Sequence, residues 1–215
     1  MKQWIIFSLS AAAALTVAAG SSFADDGGGH DGVQDGAHFQ LAINPKFAAC
    51  LGNPYGPAPK ADVTVLRGKL NDTMVLKVSN VKPNLAFDLF TVEKSTLLPN
   101  GQPNTAVPNV GMAWYQSDIE ADNKGNAETQ IKTILLDQIF GVDQSTLLPP
   151  TNTFHVGFWF NNPNDAAACG FAVASPTPFN GEHKAGPLAM ISLPDAVTNL
   201  GPLCTKPQAN GTCHP

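Results

Sequence analysis

A two-residue period in apolar side chains, repeated along the chain and interrupted by turn residues, constrains the fold most. It is clearest in FHVGFWFN, residues 154–161, where Phe154, Val156, Phe158 and Phe160 share one side of an extended backbone and His155 points the other way. TMVLKVSNV, 73–81, sets Met74, Leu76 and Val78 on one face and Lys77 on the other; with DVTVLRGKL, 62–70, it reads as a hairpin about Asn71-Asp72. AETQIKTILL, 127–136, alternates Glu128, Gln130 and Lys132 with Thr129, Ile131 and Thr133, after a polar turn that ends in Gly125-Asn126. LAFDLFTV, 85–92, is apolar on both faces, the pattern of a strand covered on both sides. HFQLAI (38–43), VGMAWYQS (110–117) and PLAMISL (187–193) add further strands. The only helix signal is short: Asp195 as a cap, with the chain stopped by Gly201-Pro202. Nineteen glycines and 18 prolines supply the joints. The expectation is an all-β fold: an antiparallel β-sandwich, Greek-key-like, of about seven or eight strands with long loops, a partly closed barrel being its nearest neighbour.

The ends of the chain differ in texture. Met1-Lys2, an Ala-rich apolar run over 4–20 and Ser22-Phe23-Ala24 have the form of a secretory signal cleaved after Ala24, so residues 1–24 are assigned to it. Residues 25–36, DDGGGHDGVQDG, hold one large apolar side chain and read as a flexible, disordered leader. A single domain is expected over 37–215. No stretch after the signal has the length and apolarity of a membrane span. Of 12 Lys and Arg, Lys2 falls in the signal, which leaves 11 against 17 Asp and Glu. The remaining bases are scattered singly, which argues against nucleic acid and anionic lipid as partners. Four cysteines, an even number in an oxidising compartment, point to two disulfides, with Cys204–Cys213 closed over the Asn210-Gly211 turn and Cys50–Cys169 as the remaining pair.

One phrase occurs twice. LFTVEKSTLLP begins at Leu89 and IFGVDQSTLLP at Ile139, each followed by an aromatic strand. The two stretches, 89–115 and 139–160, read as a structural pseudo-repeat. In each, Ser and Thr hydroxyls start a turn and the leucines fold back to plug an end of the sandwich. Because Trp159 lies one place nearer its glycine than Trp114 does, either a bulge intervenes or the two indoles face opposite sides.

Chemistry-bearing residues are sparse. There is no G-x-S-x-G elbow and no H-E-x-x-H helix. Glu182 and His183 adjoin on the Asn180-Gly181 turn and, with His155, form the candidate catalytic or metal-binding set of a small extracytoplasmic enzyme. His155 alternates with the Phe face, so it is expected outside the core, as a structural imidazole or under a loop. In the leader, His30, Asp31, Asp35 and His38 offer weak ligands for a divalent metal. The acidic turn 118–128 has the composition of a calcium loop but not its ligand spacing, and reads instead as a hairpin. Trp114, Tyr115 and Trp159 are the candidate ligand-binding residues; aromatic faces of this kind stack on carbohydrate. The favoured reading is a secreted or periplasmic protein without catalysis and without a cofactor, binding an extracellular ligand or protein or serving as a structural part.

Overall fold

The computed structural model describes residues 36–135, 153–179 and 184–204. Over these residues the chain is all-β. Its strands are β1 (Gly36–Ile43), β2 (Lys60–Leu66), β3 (Asp72–Ser79), β4 (Ala86–Val92), β5 (Ala113–Glu120), β6 (Ala127–Thr133), β7 (Thr153–Phe160), β8 (Leu188–Ser192) and the two-residue β9 (Leu203–Cys204). Every pairing is antiparallel, in the order β5-β4-β7-β8-β1-β2-β3-β6, with β9 added to β7. Gly36, assigned by its composition to the leader, is the first residue of β1.

The sheet folds over at β1. Its first half, Gly36 to Gln40, pairs with β2, and its second half, Leu41 to Ile43, pairs with β8. One strand thus serves two half-sheets, which pack face to face around the core. Val63, Val65, Met74 and Leu76 from one half meet Phe87, Leu89, Phe158 and Phe160 from the other. The Phe face of β7 is therefore the inner face its alternation indicates. Phe87 sits between Phe158 and Phe160, with ring centroids 4.8 and 5.5 Å away.

The turn at Asn123 to Asn126 departs from the expected hairpin. It joins β5 to β6, yet those strands pair with β4 and β3, at the two ends of the sheet path. A side-chain bond, Thr129 Oγ1 donating to the Asp118 carbonyl at 3.4 Å, spans the seam. The sheet is nearly closed, which shields most of the edge that an open sheet exposes. Asp122 builds the turn, accepting from the amides of Lys124 and Asn126 at 2.8 and 2.9 Å. Donation from Asn126, then Lys124, holds its carboxyl below the usual carboxylate range.

Antiparallel pairing sorts the loops to two ends. At the Cys50 end a short helix, α1 (Ala48–Leu51), and a 3-10 segment (Pro163–Cys169) are joined by the Cys50–Cys169 disulfide, with Phe47 and Phe171 edge to face at 6.1 Å. The Gly36 end carries the β2–β3 loop, the β4–β5 loop and the turn after β8. That last turn is shorter than the expected helix. Asp195 accepts from the amides of Val197 and Thr198, and Asn199 at φ 57° ends the coil after one turn.

Candidate functional site

β4 lies at the centre of the site because both of its faces are covered. Phe87 and Leu89 enter the main core, while Phe90 and Val92 enter a second apolar layer with Leu97, Trp159, Leu188 and Ile191 on the outer side of the sheet. The first Ser-Thr-Leu-Leu-Pro loop supplies part of that cover. Ser95 Oγ accepts from the Leu97 amide at 3.2 Å, and Leu97 is buried against the sheet face while Leu98 stays exposed. The plug is therefore one leucine, and it sits on a face rather than across an end. The loop then reverses through Pro99-Asn100-Gly101. Gly101 adopts φ 78° and donates to the Leu98 carbonyl, and Leu98 donates to the Gln102 carbonyl, each at 2.8 Å.

A β-bulge shapes the exposed part of this face. Leu89 pairs with Ser117 and Phe90 with Tyr115, so the backbone register skips Gln116, whose side chain instead donates to Thr91 Oγ1 at 3.2 Å. The extra residue reverses the alternation and brings Tyr115 and Asp118, three apart in sequence, to the same outer face. Tyr115 Oη donates to Asp118 Oδ1 at 2.7 Å. Its ring meets the edge of Phe90 at 5.5 Å, and Phe90 is held in turn by Trp159 at 5.2 Å and Phe179 at 4.9 Å. Tyr115 remains 52% exposed above the buried Phe90 and Trp159. Opposite Asp118 on β4 is Asp88, fully buried, with Oδ1 accepting from Asn161 Nδ2 at 3.0 Å. The result is an open aromatic ring, fixed at its hydroxyl and its edge, beside an exposed carboxylate.

The other aromatic candidates are placed differently. Trp114 faces the inner side, half-buried, edge to face with Phe154 at 5.5 Å. Trp159 faces the outer layer and is 8% exposed. The indoles do face opposite sides, so Tyr115 carries the accessible ring. Whether 89–115 and 139–160 share a backbone course turns on 139–152, which lie outside the described residues.

His155 lies on the outer face opposite Val92 and is 2% exposed. Its Nδ1 is 3.1 Å from the Ser192 carbonyl and 3.0 Å from Ser192 Oγ. A carbonyl only accepts, so Nδ1 carries the proton. Ser192 Oγ also accepts from the Val156 amide at 3.2 Å. Burial, against the opposing bond to Ser192, lowers the imidazole pKa to about 4 and keeps it neutral. Glu182, His183 and Cys213 lie outside the described residues, as do His30, Asp31 and Asp35. His38 is exposed on β1, its Nδ1 3.2 Å from Thr64 Oγ1. Among the described residues, no three His, Cys, Asp or Glu side chains gather as a metal site would require, and no helix is long and apolar enough to cross a membrane.

Sequence patterning misses Asp118, Asp88 and Asn161. Strict alternation puts Tyr115 and Asp118 on opposite faces, and nothing in the local residues marks Gln116 as the bulge. Comparison of the chain with protein-family models, with curated proteins and with solved structures finds no match.

Proposed function

We propose that this is an extracytoplasmic, non-catalytic β-sandwich protein that binds a carbohydrate on the outer face of β5. The observation that carries the reading is the bulge that fixes Tyr115, half exposed, beside Asp118. A saccharide offers a flat C–H face to a ring and hydroxyl donors to a carboxylate. A ring already immobilised loses little conformational freedom when it stacks. Trp159 acts as support beneath Phe90, and Trp114 as packing on the inner face. The extracytoplasmic location draws support from the Cys50–Cys169 disulfide and from the signal-like form of residues 1–24.

The burial of His155 supports the absence of turnover, since an imidazole sealed from solvent and neutral at physiological pH reaches no substrate. The alternative, an enzyme or metal protein built on Glu182, His183 and His155, requires that ring to reach solvent. Binding of the purified protein to a panel of immobilised polysaccharides tests the reading. Wild type is retained by at least one polysaccharide, and Tyr115→Ala lowers its affinity at least about tenfold, the worth of roughly 1.4 kcal/mol of stacking. Retention by none, or equal retention of Tyr115→Ala, refutes it. Substrate turnover abolished by His183→Ala would establish the alternative.

A further inference from the structure

We propose that the site on β5 takes saccharides free of acidic groups and turns away uronate and sulfate polymers, an assignment that rests on carbohydrate binding at that face. The side chains that β5 sends to the outer face are set by its register with β4: Ala113 opposite Val92, Tyr115 opposite Phe90, Asp118 opposite Asp88 and Glu120 opposite Ala86. All four are exposed. They comprise one small apolar residue, one ring and two carboxylates, and neither β4 nor β5 contains a Lys, Arg or His.

The side-chain donors around the ring are already engaged. Tyr115 Oη donates to Asp118 Oδ1 at 2.7 Å. Gln116, the bulge residue, turns Nε2 to Thr91 Oγ1 at 3.2 Å. Ser117 Oγ donates to the Asp118 carbonyl at 3.1 Å, and Asn161 Nδ2 to Asp88 Oδ1 at 3.0 Å. A carboxylate accepts and does not donate, so the exposed polar side chains of β5 offer a ligand acceptors. A neutral sugar brings its own hydroxyl donors to Asp118 while its C–H face lies on Tyr115. A uronate or sulfate group brought to the same ring meets a carboxylate with no donor between the two, and like charges repel at that range. The bases nearby belong to other elements. Lys94 pairs with Glu93 at 3.5 Å and Lys77 with Glu128 at 3.6 Å. Lys132 stands on β6, across the seam where β5 and β6 do not pair, and Lys124 and Lys184 belong to connections at the Cys50 end.

Affinity electrophoresis of the full protein tests the proposal. The gels hold dextran, xylan, galactan or methyl-esterified homogalacturonan, and their acidic counterparts: the sulfated forms of the first three, and polygalacturonate. Wild type is retarded by at least one neutral polymer, and its affinity for the acidic counterpart is at least about tenfold lower. Rising salt narrows that gap. Asp118→Asn keeps an acceptor for the tyrosine hydroxyl, gains a donor, and narrows the gap to about threefold or less. Asp62→Asn, on β2 in the other half-sheet, removes the same formal charge and leaves the gap as in wild type. Equal or tighter binding of an acidic polymer overturns the proposal while carbohydrate binding itself stands. A gap that Asp118→Asn leaves unchanged, or that Asp62→Asn closes equally, has the same consequence. Retardation by none of these polymers overturns carbohydrate binding at β5 and this assignment with it.

Discussion

The sealed imidazole of His155 makes the fold sensitive to acid in a defined window. In the unfolded chain the ring titrates at its ordinary value of 6.5, and in the folded protein at about 4. Below pH 6.5 the unfolded state therefore binds the proton more readily, and stability falls with pH until the folded state protonates as well, near pH 4. A difference of 2.5 pKa units, from 6.5 to 4, sets the full loss at about 3 kcal/mol. At pH 5 the same relation gives a loss of about 2 kcal/mol. His155→Asn retains an amide that can donate to the Ser192 carbonyl and cannot titrate. It costs roughly 1–3 kcal/mol at pH 7.5 through lost packing, and that cost does not vary with pH. Urea denaturation of both proteins at pH 7.5, 6, 5 and 4.5 isolates the effect, because every other titrating group is common to the two. The wild-type advantage should shrink by about 2–3 kcal/mol between pH 7.5 and 4.5. An advantage that stays constant across this range would falsify the sealed, neutral ring.

Two further substitutions probe the architecture. Replacing both Cys50 and Cys169 with serine releases a bridge across a sequence separation of 119 residues; the chain-entropy relation puts the loss at about 5 kcal/mol, read as a lower denaturation midpoint than that of the oxidised parent. Leu97→Ala empties part of the second apolar layer and should cost about 2–4 kcal/mol, whereas Leu98→Ala, on the next residue, should lie within roughly 0.5 kcal/mol of wild type; equal costs would contradict the single-leucine plug.

Much of the fold follows from local pattern because strand alternation is a local property. The Phe face of β7, the β2–β3 hairpin, the alternating half-burial of β6 and the double cover of β4 all rest on a side chain's position within its own strand, which two-residue geometry sets. Four thiols allow three pairings, and the Cys50–Cys169 bridge is expected only as the remainder once the Asn210-Gly211 turn is assigned to Cys204–Cys213. Partner choice is different in kind. That β5 and β6, joined by a tight turn, pair with other strands instead of each other depends on the closure of the whole sheet. The coil after Asp195 stops at one turn because Asn199 takes a left-handed conformation, two residues before the Gly201-Pro202 stop that the sequence offers.

The residues alone therefore determined an all-β body with paired thiols, and Tyr115 as one of three aromatic candidates. Tertiary structure decided which of the three is accessible. One extra residue, Gln116, shifts the register between β4 and β5 and turns Tyr115 toward Asp118, while folding over β1 places Trp114 against the core and Trp159 beneath the second layer. The physical reason is that a strand's alternation fixes which side chains share a face, but only its neighbours fix which face meets water.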